Sequence, residues 1–211
     1  MMAFITHCLK NARLDFAVAL LCALVLCAVP LPGRADSTVP EVSPLRLERS
    51  GESLALTAVV KFELPSAVED ALLKGIPVIF VAEADVYRDR WYWTDKKVAN
   101  AQRHMRLLFQ PLTRRWRLVV AAGLITSNGL GVALNQSFDT LEEALGAIRR
   151  LSGWRIAELD DIDAGTRHRL EFRFRLDASQ LPRSLQIGTL GQSDWALAAA
   201  ATQRFTLESL K

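Results

Sequence analysis

Leu170-Glu171-Phe172-Arg173-Phe174-Arg175-Leu176 alternates apolar and charged side chains without a break. A period of two puts Leu170, Phe172, Phe174 and Leu176 on one face and Glu171, Arg173 and Arg175 on the other, which describes a strand with one face in a core and one in water. Strands of that kind belong to antiparallel sheets, because parallel strands are covered on both faces and read as continuous apolar runs. Upstream, Ser53 to Leu64 repeats the pattern, with Leu54, Leu56, Val60, Phe62 and Leu64 opposite Thr57, Lys61 and Glu63. Leu45 to Arg49 and the turn Ser50-Gly51 precede it, so a hairpin is expected. Ile76 to Tyr87, His104 to Phe109, Arg115 to Ala121 and Trp195 to Leu207 are further strands. The second and third of these are joined through Gln110-Pro111-Leu112-Thr113, and Asn128-Gly129 marks a turn.

Two short helices interrupt the strands. Ser66-Ala67-Val68-Glu69 has the spacing of a capping box, and the helix it opens stops at Gly75, before Pro77. Thr140-Leu141-Glu142-Glu143 is a second such box, followed by an apolar face of Leu141, Ala144, Leu145, Ile148 and Leu151 that ends at Gly153. Nothing alternates strand, helix, strand as a parallel nucleotide-binding sheet would. The expected fold is α+β, mainly antiparallel β-sheet of roughly eight strands, sandwich-like or strongly curved, with two short helices.

The amino end has a different composition. Lys10 and Arg13 precede an apolar run from Phe16 to Val29, which gives way to Pro30, Pro32 and Gly33 before the small residue Ala35. Residues 1–35 read as a signal peptide, 36–44 as an extended leader and 45–211 as one periplasmic domain. The alternative is an inner-membrane anchor through residues 16–29, but a helix of that length rises only about 21 Å against a hydrocarbon core of about 30 Å. Cleavage after Ala35 removes Cys8, Cys22 and Cys27, leaving 176 residues without cysteine, so thiol chemistry and disulfide partners are excluded. The remaining 23 basic and 22 acidic residues give no electrostatic basis for nucleic-acid binding.

Catalytic motifs are absent: there is no Gly-x-Ser-x-Gly elbow, P-loop or dinucleotide fingerprint. His104 and His168 are expected as outward-facing strand histidines, and no His-x-His or His-x-x-x-His spacing makes them a metal pair. Asp160-Asp161-Ile162-Asp163 fails as a calcium loop, because Gly165 and Phe172 stand where oxygen ligands are required, and reads as a solvated turn. Neither a metal nor a cofactor is expected. Glu83 and Asp85 share a strand face at i and i+2, and with Asp89 they are the carboxylates a hydrolase would use.

Arg88-Asp89-Arg90-Trp91-Tyr92-Trp93 is the least ordinary segment of the chain. Arg88, Arg90, Trp91, Tyr92 and Trp93, joined by Arg115 and Trp116 and by the Trp154-Arg155 pair, form a candidate aromatic and cationic binding surface. The competing reading puts the tryptophans in the core and the arginines on solvated strand faces.

Val68-Glu69-Asp70-Ala71-Leu72 with Gly75-Ile76-Pro77, the Arg88 to Trp93 block, Leu112-Thr113-Arg114-Arg115-Trp116-Arg117, and Ser137-Phe138 running into Leu141-Glu142-Glu143-Ala144-Leu145 resemble a proteobacterial family of exported proteins of unknown function. Its members are sometimes labelled proline-rich signal peptide proteins. The resemblance extends from about Leu45 to Leu207 and implies a location in the cell envelope and a gene beside a nitrogen-regulation-type sensor histidine kinase. It brings no catalytic residues. Three functions follow as expectations: a non-enzymatic periplasmic binding or interaction module, accessory to such a kinase; a carrier or sensor of an apolar or anionic envelope molecule; and a carboxylate-based hydrolase. Partners are an envelope protein or an envelope glycan or lipid.

Overall fold

The computed structural model describes residues 39–90, 94–122, 133–181 and 195–210. The elements run β1 (Glu41–Val42), β2 (Arg46–Ser50), β3 (Ser53–Lys61), α1 (Ser66–Leu73), β4 (Val78–Arg88), β5 (Lys96–Gln110), β6 (Arg115–Ala122), β7 (Ala133–Phe138), α2 (Leu141–Arg149), β8 (Arg150–Glu158), β9 (His168–Asp177) and β10 (Ala198–Phe205). They build two antiparallel sheets, neither closed on itself. In the smaller, β1, β2 and β8 all pair with β3, and the larger has the order β10-β9-β4-β5-β6-β7. The expected mainly antiparallel α+β fold with two short helices is the fold observed. No helix among the described residues is long and apolar enough to cross a membrane.

The sandwich core follows from the alternation. Leu54, Leu56, Ala58 and Val60 of β3 face Phe80, Ala82, Ala84 and Val86 of β4 and Leu170, Phe172 and Phe174 of β9. The rings of Phe62, Phe80 and Phe174 gather from both sheets, with centroids 5.4 to 6.0 Å apart. The β2–β3 turn needs Gly51, whose φ is +61°, a region open to glycine at no steric cost.

The helix ends separate two outcomes. At α2 the capping box forms: Thr140 Oγ1 accepts from the Glu143 amide at 3.2 Å, and Glu143 Oε2 accepts from the Thr140 amide at 3.4 Å. Thr140→Ala is therefore expected to cost about 1 kcal/mol in urea denaturation. At α1 the expected box does not form, because Pro65 occupies the N-cap position and no side chain caps the helix. That helix is fixed at its other end: Gly75, at φ +78°, donates to Leu72 O at 2.8 Å, and Ile76 donates to Ala71 O at 3.0 Å.

The apolar face assigned to α2 through Leu151 requires correction. The helix ends at Arg149, Arg150 is extended with φ −107° and ψ 110°, and the chain continues directly as β8. Leu151, Trp154 and Ile156 enter the core from a strand. Gly153, at φ +55°, stands in a stretch where the β3–β8 register shifts, so it serves a bulge rather than a helix stop.

Candidate functional site

The outer face of the six-stranded sheet carries a ladder of charge. On β9, Arg169, Glu171, Arg173 and Arg175 alternate with core residues, and β4 presents Glu83, Asp85 and Tyr87 beside them. Arg173 reaches Asp85 at 2.5 Å and Glu83 at 3.6 Å, while Arg175 reaches Glu83 at 3.4 Å. Asp85 is 1% exposed and also meets Lys97 Nζ at 2.9 Å and Asn100 Nδ2 at 2.6 Å. Burial acts to raise its pKa, but the hydrogen bonds from Asn100 and Lys97 and the charges of Lys97 and Arg173 outweigh it and hold the carboxyl below its ordinary value. Glu83 and Asp85 are spent on the ladder.

At one end of this sheet β4 turns into β5. Arg88 pairs with Lys96 on one side and with His168 on the other. The next residue, Asp89, donates its amide to Arg167 O at 3.0 Å, extending the β4–β9 ladder past the last regular pair. Most carboxylates of this end are engaged, Asp89 being bonded only through its amide among the described residues. Asp163 takes the Arg88 guanidinium, and Asp95 takes Arg169 at 2.9 Å and the Arg90 amide at 3.3 Å. Glu208 accepts from the Gly165 amide at 2.8 Å. Tyr87 lies between two cations, with the Arg169 guanidinium 5.2 Å and Lys97 Nζ 5.6 Å from its ring centroid. Arg90, Lys96, Arg167 and Arg204 are exposed and have no ion pair among the described residues. Trp91, Tyr92 and Trp93, in the connection between Arg90 and Thr94, lie outside the described residues.

The remaining candidates lie elsewhere. Arg115 pairs with Gln110 at the opposite end of β5 from the Lys96 that pairs with Arg88. The 15 residues of β5 set those ends about 46 Å apart. Arg115 is bound to Asp139 at 2.9 Å, and Trp116 is 6% exposed and packs on Phe109 with ring centroids 4.8 Å apart. Trp116 is therefore a core residue. Trp154 is equally buried, on β8 in the other sheet, under the Arg103 guanidinium at 5.1 Å. A single surface spanning all three Trp-Arg pairs is thus not formed, because the length of β5 separates residues that resemble each other in sequence. Arg88 and Arg90 remain together.

Both histidines are corrected from outward-facing to buried: His104 is 3% exposed and His168 is wholly covered. On β9, His168 has the parity of Leu170 and Phe172, so it faces the core, and its ring stacks on Phe205 at 5.6 Å. Its Nδ1 lies 3.1 Å from Thr166 O, which can only accept, so Nδ1 carries the proton and Nε2 is left without a hydrogen-bond partner among the described residues. Burial pushes its pKa down, with the nearby Arg88 acting in the same direction against the Thr166 bond. The unfolded chain protonates near 6.5 and the folded chain only below that, so stability is lost as pH falls through 6.5. Urea titrations at pH 7.5 and 5.5 are expected to show that loss in the wild type, at no more than about 1.4 kcal/mol per pH unit, and a smaller one in His168→Phe.

Arg167 and Arg204 were not among the residues singled out from sequence. Arg167 precedes β9 and Arg204 lies near the end of β10, and only the β9–β10 pairing brings them together. A family model described as a domain of unknown function (DUF4390) matches residues 38–206. No curated protein and no solved structure matches the chain.

Proposed function

The chain belongs to the DUF4390 family of unknown function, and on that premise we propose that it is a non-enzymatic binding module of the cell envelope, working through the end of the six-stranded sheet where β4 turns into β5. The observation that carries this reading is the surplus of cations there. Arg90, Lys96, Arg167 and Arg204 have no ion pair among the described residues and outnumber the unpaired carboxylate of Asp89. Uncompensated arginines grouped at a loop end, beside the Trp91-Tyr92-Trp93 segment, suit recognition of an acidic partner surface.

The leader pattern in residues 1–35 supports export to the periplasm. The resemblance to exported proteins encoded beside sensor kinases favours an envelope protein as partner, the periplasmic part of such a kinase first among them. The carrier and hydrolase readings draw less support. The space between the sheets is filled by Phe80, Phe172, Phe174 and their neighbours, and the Glu83–Asp85 pair is neutralised by arginine and lysine.

The test is affinity capture of the tagged full chain from chemically crosslinked envelopes, comparing wild type with Arg90→Glu/Lys96→Glu. Both side chains are exposed and have no ion pair among the described residues, so the melting temperature should not change. The reading expects a defined envelope protein to be recovered by wild type and lost from the folded double variant. Equal recovery by both would remove the hairpin end from the interface.

A further inference from the structure

Beside the β4–β5 hairpin, a cleft of about 370 Å³ opens at the end of the β9–β10 pair, lined by Arg167, Arg204, Phe205, Thr206 and Ser209. We propose that this cleft is an oxyanion site that takes a phosphate group. The sheet register builds it. Arg204 stands opposite Arg169 and Phe205 opposite His168, so Thr206 falls opposite Arg167 and Arg204 lies diagonal to Arg167 on the same face. Diagonal neighbours across two strands sit about 7–8 Å apart, a span two guanidinium groups close around one tetrahedral anion.

Like charges at that spacing repel unless something neutralises them. The third arginine of the cluster, Arg169, is neutralised by Asp95 at 2.9 Å and Glu171 at 3.3 Å. Arg167 and Arg204 have no ion pair among the described residues. Glu208, the acidic residue of the adjoining turn, is turned to the Gly165 amide. Phe205, 5% exposed, closes the floor and is held in place by the buried His168 ring. At the rim, the Ser209 hydroxyl donates to Thr206 O at 2.7 Å and accepts from the Thr206 amide at 3.2 Å, and the Thr206 hydroxyl is bonded to Glu208, so both hydroxyls hold the turn that carries the cleft wall. Two forked cations match the several acceptor oxygens of a phosphate better than the two of a carboxylate.

This inference goes beyond the proposed function, since an acidic protein partner requires only the exposed cations and no cleft. A free phosphate compound and an anionic lipid headgroup offer the same chemistry, and the experiment has an arm for each. Inorganic phosphate is titrated into the full chain at constant ionic strength, followed by calorimetry, and binding to phosphatidylglycerol vesicles is compared with binding to phosphatidylcholine vesicles. The proteins are wild type, Arg167→Gln/Arg204→Gln, and Arg115→Gln at the far end of β5. The site predicts saturable phosphate binding weakened about tenfold or more in the double variant and unchanged in Arg115→Gln. A headgroup as the source adds a preference for phosphatidylglycerol that the same double variant loses. Absence of binding in both arms, or binding that the double variant retains, overturns the site. Retained capture of an envelope protein with no phosphate binding would overturn it and leave the proposed function standing.

Discussion

Phe174→Ala is expected to lose about 3–5 kcal/mol of stability, the largest effect of any single truncation considered. The side chain is wholly buried, and its ring lies 5.4 Å from Phe62, just past the end of β3, and 6.0 Å from Phe80 on the neighbouring β4. Removing it takes away apolar burial and leaves a cavity that the flanking strands cannot close without breaking register. Against a total stability of about 5–15 kcal/mol, that loss leaves a fraction of the chain unfolded at ambient temperature. The adjacent Arg175→Ala lies on the solvated face and should cost about 0.5 kcal/mol or less. Urea midpoints for the two variants measure the contrast. Equal midpoints would mean that the alternation does not define the core.

Asp85→Ala is the second large effect, expected at about 2–3 kcal/mol at neutral pH. The carboxylate is 1% exposed and holds Arg173, Lys97 and Asn100. A fully buried pair that loses one partner costs about 3–5 kcal/mol, but Arg173 and Lys97 are 46% and 47% exposed and recover water when the acid is removed. The pH dependence fixes the cause. Because the folded-state pKa lies below 3.8, the contribution is complete above that value and is lost as pH falls through the folded pKa. Wild type and Asp85→Asn should therefore differ in stability at pH 7 and converge toward pH 2. A gap that persists unchanged at low pH would assign the effect to shape rather than charge.

Period-two alternation makes most of this fold legible in sequence. The strand at Leu170–Leu176 and the hairpin around Gly51 read correctly through alternation, whereas the strand from Val78, buried on both faces at its start, reads from its continuous apolar run after Pro77. β8 does not read correctly, since Leu151 stands three residues after Ile148 and continues the helical repeat of α2 beyond the point where the helix ends. The site is harder to read. Proximity in sequence grouped Arg88, Arg90 and the aromatic segment, but likeness of sequence also drew in Arg115 and Trp116, which β5 carries to its other end. Arg167 and Arg204 meet only through pairing of β9 with β10, and no local signal announces that contact. The burial of His168 was hidden by its arginine neighbours, which point to the opposite face.

The account rests on the β4–β5 end as the surface that meets a partner. The most direct measurement is photocrosslinking in intact cells, with a photoreactive residue replacing Arg90 in one full-length variant and Leu112, fully exposed at the β5–β6 turn, in another. Adducts of one defined mass from position 90 and none from position 112 are the predicted result. Adducts from position 112 alone, or the same adducts from both, would contradict it.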